Sequence, residues 1–244
     1  MNTYALRRVF CRLRSIVSFI RHGVWRTLTG EMTISWSQTG EDSLLKAFLI
    51  DRFEDIAYKG FWVDVGANHP FRWSNTKMYS DRGWRGINVD ASPVSIRLFD
   101  CARPKDINVA KGVAEQRGML DYYMFKSDAT NTFSKEFADK LVAEGGVLRQ
   151  VLKVPVVTLE DILDEYLPRG QHIDFLTVDT EGWDISILKS NNWTKYRPDF
   201  ILIEIHTNGH NCSVLGGEVD SFLSKQGYEF VGQTLCTTLF QRVQ

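Results

Sequence analysis

The run GFWVDVGANHPFRWSNT, residues 60–76, carries a hydrophobic, β-branched stretch into an abrupt turn. GFWVDV, residues 60–65, reads as a strand. Asp64, Gly66, Ala67 and Asn68 stand at its exit. Gly66 allows a tight bend and a close approach of ligand to backbone. Pro70 interrupts the chain, and a helix restarts only near Ser74. In an open α/β sheet, ligands bind beyond the carboxyl ends of strands at the topological switch point. Residues 64–68 are therefore expected to line a site.

On the N-terminal side, SQTGEDSLLKAFLIDRF reads as a helix start. Thr39 is the expected cap with Asp42 three residues on, and Leu44, Leu45, Phe48 and Leu49 form the apolar stripe. On the C-terminal side, SNTKMYSDRG is a short helix capped by Ser74 and closed at Gly83. RGINVD is a strand, PVSIRLFDCA a helix and DINVAKGVA a third strand. MLDYYMF alternates and reads as an extra strand or hairpin arm. Residues 127–150 are polar and partly helical, broken at EGG, and LKVPVVT follows. TLEDILDEYL is a helix with Thr158 and Asp161 in capping-box spacing. IDFLTVD and DFILIEI are strands, VDSFLSKQG is a helix ending at Gly227, and YEFVGQ and TLCTTLFQR are two adjacent strands.

Strand and helix alternate, so parallel pairing through right-handed crossovers is the default. The last two strands are joined by a turn too short for a crossover, and one must run antiparallel. The expected fold is α/β: a mostly parallel seven-stranded sheet ending in an antiparallel hairpin, the plan of the Rossmann-like class I methyltransferases.

The whole chain of 244 residues carries 29 basic and 30 acidic residues, net −1, which argues against a nucleic-acid partner. Residues 1–30 hold six arginines and no acid, leaving 23 basic against 30 acidic residues elsewhere. Val9, Phe10, Leu13, Ile16, Val17, Ile20 and Val24 have helical spacing opposite those arginines. The segment is too charged to span a bilayer and lacks a signal-peptide cleavage site. Three readings stand: a helix packed on the domain's flank, an amphipathic helix (residues 1–28) on an anionic membrane surface, or a transit peptide. The domain proper is expected over 31–244. Cys11, Cys101, Cys212 and Cys236 form no CxxC pair, which points to a reducing compartment, the cytoplasm, and away from a zinc site.

A dinucleotide loop wants GxGxxG so that helix-terminal amides meet a diphosphate. The frame here is Gly66, Ala67, Asn68, His69, Pro70, Phe71. Two glycines are missing and Pro70 offers no amide, which disfavours an NAD enzyme. S-adenosylmethionine has no phosphate. It needs close backbone approach at Gly66, an acid near its positive end, which Asp64 supplies, and an acceptor for two ribose hydroxyls. Asp90 ends the next strand 24 residues after Gly66, near the spacing of a ribose-binding acid.

SQTGED, FWVDVGANHPFRWSNT, RGWRGINVD, Arg103-Pro104 and VDTEGWD, in this order, resemble the FkbM family of S-adenosylmethionine-dependent methyltransferases, from about residue 35 to 242. The resemblance implies a class I fold and methyl transfer to a hydroxyl, often on a sugar or secondary metabolite. It implies cofactor contacts at Asp64, Gly66, Ala67, Asn68, Asn75, Asp90 and Ser92, with Gly112 and Val113 beside the adenine. It places Gln38 and Glu41 near the methionine end. Asn68 stands where methyltransferase loops usually have a second glycine, and asparagine tolerates a left-handed backbone.

A hydroxyl acceptor must lose its proton, and a positioned base adds roughly 10²- to 10⁴-fold. VDTEGWD and IEIHTNGH end adjacent strands and bring Asp179, Glu181, Glu204, His206 and His210 to one rim. His206 titrates in the useful range, and Asp179 suits an orienting acid, a base or a metal ligand. Glu181 and Glu204 stand beside them. His69 either touches the acceptor or, given Pro70, shapes the turn. Magnesium or manganese suits these oxygens, and strand-end carboxylates equally serve without an ion. Residues 127–150 read as a lid hinged at its glycines or as a solvated helix over the sheet edge. Trp73 and Trp183 are the tryptophans expected near the acceptor.

The expected activity is O-methylation of a carbohydrate or glycan hydroxyl, at the cytoplasmic membrane face if the basic helix lies there. Two alternatives are an O-methyltransferase of a polyketide or other small metabolite, and a non-catalytic scaffold in a glycan-assembly complex.

Overall fold

In chain order the strands are β1 (Phe61–Val65), β2 (Arg85–Asp90), β3 (Ile107–Ala110), β4 (Gly112–Val113), β5 (Gly118–Phe125), β6 (Leu148–Val157), β7 (Phe175–Val178), β8 (Phe200–Glu204), β9 (Tyr228–Gln233) and β10 (Thr237–Arg242). The computed structural model describes residues 33–205 and 216–243, so the basic N-terminal helix, His206 and His210 lie outside the described residues. Trp36 onward packs as one unit. Among the described residues, seven strands form one sheet in the order β3-β2-β1-β7-β8-β10-β9. All neighbours are parallel except β10, which runs antiparallel to both β8 and β9. This is the expected mostly parallel sheet with its terminal hairpin. The order reverses at β1, so the switch point lies between β1 and β7.

The central strands β1, β7 and β8 are buried along nearly their whole length and mostly apolar, as expected of parallel strands covered on both faces. Successive side chains alternate faces. Val63 and Val65 enter the core with Ile87, Leu176 and Ile201, while Trp62 packs on the other face with Phe175, Trp84 and Leu202. Trp62 Nε1 donates to Asn88 Oδ1 at 3.0 Å, so its polar atom is satisfied while buried. Asp64 is on the Trp62 face at the strand exit, and Val65 on the other. Each therefore addresses a different side of the sheet's upper edge.

Several local expectations are corrected. The first described helix is Glu41–Phe48, and its N-cap is Gly40 in left-handed conformation, not Thr39. Thr39 N donates instead to Glu41 Oε2 at 2.9 Å. The short helix after the Gly66 turn is Lys77–Asp81, following Thr76; Ser74 is buried in a hydrogen-bond network rather than capping. The third strand ends at Ala110, and Gly112–Val113 belongs to a second sheet of order β4-β6-β5. The β5–β6 pair is antiparallel and encloses most of residues 127–150. Gly145 and Gly146 end the helix Lys135–Ala143: Gly145 N bonds Val142 O at 3.0 Å and Gly146 N bonds Leu141 O at 2.8 Å, the pattern of a helix terminator. The capping box of Thr158 and Asp161 is present as expected. No described helix is long and apolar enough to cross a membrane.

Candidate functional site

β1 ends at Val65 and the chain turns at Gly66, whose φ is 85°. A Cβ built there would lie 1.8 Å from the Asp179 carbonyl oxygen. Glycine is required both by conformation and by space. Gly66 N and Ala67 N donate to Val89 O of β2 at 2.9 and 3.1 Å, and Asp179 N donates to Val65 O at 3.0 Å. The exits of β1, β2 and β7 are thereby stitched into one ridge. Asn68 is left-handed, with φ 51°, and its N–H donates to Asp90 Oδ2 at 2.9 Å.

Two cavities meet on this ridge. The first is lined by Asp90, Gly112 and Val113, and by Tyr122, Asn131 and Phe133 from the β5–β6 arm. The second is lined by Gln38, Asp64, Ala67, Ser74, Asn75 and Trp73. Gly66, Asn68, Ala129, Asp179 and Glu181 border both.

In the first cavity Asp90 holds two backbone bonds, one on each oxygen. Its partners are Asn68 N and, at 2.7 Å, Ser92 N. A carboxylate oxygen has two lone pairs, so acceptor capacity remains. Burial pushes Asp90 up to about 6, opposed by those two bonds. At Gly112 a Cβ would lie 2.7 Å from Phe133 and Val156, so the missing side chain lets the arm's ring close on the wall.

In the second cavity Asp64 Oδ2 accepts from Thr76 Oγ1 at 3.2 Å, and Thr76 Oγ1 accepts from Arg103 Nη1 at 2.8 Å. Arg103 Nη2 also donates to Pro70 O and, at 3.0 Å, to Ser74 Oγ. This buried guanidinium fixes the 70–76 loop against the end of the helix Pro93–Ala102. Asn75 Nδ2 donates to Thr177 Oγ1 at 3.1 Å. Arg103→Ala removes a shared donor from three oxygens and the cation nearest Asp64. Unfolding free energy in a denaturant titration should fall on the order of 3 kcal/mol or more. Arg103→Lys should recover only part, because an ammonium lacks the guanidinium's fork.

Between the cavities, Asp179, Glu181 and Glu204 bring one oxygen each within 4.8 Å of one another. Asp179 and Glu204 meet as close carboxyls, and a proton on one of them removes the repulsion between two charges. Burial, and then the Glu204 charge, push Asp179 well above the usual carboxylate range. Asp184 holds the loop beneath them, accepting from Thr180 N at 2.9 Å, Thr180 Oγ1 at 3.0 Å and Gly182 N at 3.2 Å. Burial pushes Asp184 up to about 7. Glu181 is left-handed, with φ 54°, and its carbonyl accepts from Thr132 Oγ1 at 2.8 Å. The arm is thus tied to the acidic loop. A second cluster, His172, Asp174 and Asp199, lies at the opposite strand ends. There Arg52 Nη1 stands 2.8 Å from Asp174 and 2.7 Å from Asp199, where a metal would have to sit.

The structure brings together Gln38, Asp64, Gly66, Ala67, Asn68, Asn75, Asp90, Gly112, Val113, Asp179 and Glu181 around the two cavities, with an oxygen of Glu204 within 4.8 Å of one on Asp179. Glu41 is outside both linings. Its carboxylate accepts from Thr39 and Thr234, tying the first helix to the β9–β10 turn. Burial raises its affinity for protons, but these hydrogen bonds prevail and hold it below the ordinary glutamate value. Ser92 caps its helix, accepting from Ser95 N, and its own N–H orients Asp90; it is not itself a lining residue. His69 Nδ1 accepts from Phe71 N and Arg72 N, both at 3.1 Å, which is the turn-shaping role. Burial, then Arg72, lower its pKa. Sequence reasoning missed Tyr122, Asn131 and Phe133 as cavity wall, and Arg103 and Asp184 as supports. The alternation of β5 was the available signal for Tyr122.

The description "Methyltransferase FkbM domain" belongs to a family model that matches residues 64–230, more than half of the chain. The match takes in the turn, Asp90, the arm and the acidic loop, and leaves out Gln38 and Glu41. No curated protein matches the chain.

Proposed function

The chain belongs to the FkbM methyltransferase domain family, and we propose that it is an S-adenosylmethionine-dependent O-methyltransferase acting on a hydroxyl of a carbohydrate or glycan. One observation carries the reading: two cavities share the Gly66–Asn68 ridge, with a ribose-type acid on one side and a cluster of three acids at the junction. The residues present suit this cofactor. The turn has no diphosphate cradle, Asp90 keeps lone pairs for ribose hydroxyls, and Val113 with Phe133 offers an apolar wall for adenine. Gln38, Asp64 and Asn75 suit a charged amino-acid end. When bound, S-adenosylmethionine supplies an electrophilic methyl group with a good leaving group.

What remains for the protein is alignment, exclusion of water and removal of one proton. Asp179 receives the acceptor's hydroxyl proton at its carboxylate, and burial makes it a better base near neutral pH than an exposed aspartate. His206 is the competing base, and comparing Asp179→Asn with His206→Ala separates the two. Asp179, Glu181 and Glu204 are the residues that would hold a divalent ion.

Burial pushes Asp64 up to about 7, with Arg103 and Thr76 opposing. The folded protein keeps this proton to about pH 7, whereas an unfolded chain releases it near 3.8. Asp64 therefore erodes stability as pH climbs between those values. A ligand ammonium favours the ionised carboxylate. Calorimetric affinity for S-adenosylmethionine should rise as pH climbs through about 7, and Asp64→Asn should flatten that rise.

The test of the activity is isotope-labelled methyl transfer to glycan extracts from the source organism, with and without a chelator. Label in a saccharide hydroxyl supports the reading. Label confined to small soluble metabolites moves the acceptor to that class, and cofactor binding with no transfer leaves a scaffold. Loss of label on chelation assigns an ion to the acidic group.

A further inference from the structure

Three aromatic side chains gather on and beside the loop that borders the second cavity. Trp73 lines the cavity, Phe71 lies two residues before it, and Trp36 is joined to the same loop through Ser74. All three remain 37–48% exposed. Large rings left together in water are uncommon and mark contact surfaces. The group is built into the fold. Ser74 N donates to Trp36 O at 3.0 Å, and Trp36 N donates to Asp42 Oδ2 at 2.7 Å. Lys77 Nζ lies 4.7 Å from the Trp36 ring centre and 5.6 Å from that of Phe71, so one ammonium is flanked by both rings. Arg72 stands 5.0 Å over Trp73 and pairs with Asp128 at 3.1 Å. Trp73 has a φ of 53°, a region that bulky side chains avoid. The fold holds this ring at the mouth in a conformation it would not choose.

A sugar ring has an apolar C–H face and a hydroxyl edge. Aromatic rings match the first, and the charged heads of Lys77, Arg72 and Asp128 beside those rings match the second. Three large rings offer more apolar face than a single sugar unit covers. We propose that Trp73, Phe71 and Trp36 form an extended subsite for a saccharide chain, so that the acceptor is an oligomer of several sugars rather than a free monosaccharide or compact metabolite. This inference rests on the carbohydrate reading above and deepens it.

The probe is a ladder of size-fractionated saccharides, from single sugars upward, released by mild acid from the source organism's surface glycan. Binding is read by tryptophan fluorescence in the presence of S-adenosylhomocysteine, and transfer by labelled methyl. The dissociation constant should fall with chain length by roughly tenfold or more before levelling. Trp36→Ala and Phe71→Ala should each flatten that dependence, and Trp36→Phe should restore most of it. Affinity independent of length, absence of binding by every fraction, or unchanged length dependence in both alanine variants overturns the subsite. Length-dependent binding without methyl incorporation leaves the subsite standing and overturns the methyl-transfer reading instead.

Discussion

Gly66→Ala should destabilise the protein by about 4 kcal/mol or more and abolish nucleoside binding. Two penalties combine. The φ of 85° costs an alanine about 1–2 kcal/mol. The new Cβ would also lie 1.8 Å from the Asp179 carbonyl, a backbone atom that cannot rotate away. Relief requires the β1 exit and the β7 exit to part, and that movement opens both cavities. Gly145 separates the two penalties. Its φ is 95°, yet no heavy atom lies within 4 Å of a built Cβ. Gly145→Ala should therefore show the conformational cost alone, about 1–2 kcal/mol. Denaturant titration of both variants gives the difference. Similar losses would mean that the ridge tolerates separation and does not shape the site.

Asp179→Asn should lower methyl transfer by roughly 10²- to 10⁴-fold, the range expected when a general base is removed. Its effect on stability should be opposite to that of an ordinary buried polar substitution. Asp179 sits near Glu204, Glu181 and Asp184, and burial together with these charges disfavours its ionised form. Its folded-state proton affinity is raised, so its ionisation weakens the fold increasingly as pH rises above the ordinary value of 3.8. Asparagine cannot ionise and carries no charge for Glu204 to repel. The variant's gain in stability over the parent should be larger near pH 8 than near pH 5, while it is nearly inactive at both. Such a trade of stability for activity is common at working sites. Thermal unfolding at the two pH values, beside initial rates, makes the check. A variant that is active, or that loses stability more at pH 8 than at pH 5, would show that Asp179 is structural.

The fold was legible in the sequence because its central strands are continuous apolar runs closed by polar or glycine residues. Phe61–Val65, Phe175–Val178 and Phe200–Glu204 could be placed from that pattern, and the short link before Thr237 forced the antiparallel hairpin. The exits of these strands and of Arg85–Asp90 then located Asp64, Asp90, Asp179 and Glu204 without any knowledge of contacts. Other features depend on partners remote in sequence. Glu41 meets Thr234 across 193 positions, so its fastening role left no local trace. Residues 127–150 lack a period that would reveal the arm, and its side chains become cavity wall only once β5 pairs with β6. Gly40 displaced Thr39 as helix cap because Thr39 bonds to Glu41. His69 was ambiguous beside Pro70, and the bonds it accepts from Phe71 and Arg72 give it the turn.

The most direct test is calorimetric titration of the full chain with S-adenosylhomocysteine and, separately, with NADH. Saturable heat with S-adenosylhomocysteine, weakened about tenfold or more by Asp90→Ala and absent with NADH, is the expected result. Heat with NADH and none with either S-adenosylmethionine or S-adenosylhomocysteine would contradict the cofactor assignment and, with it, the chemistry proposed for the acidic group.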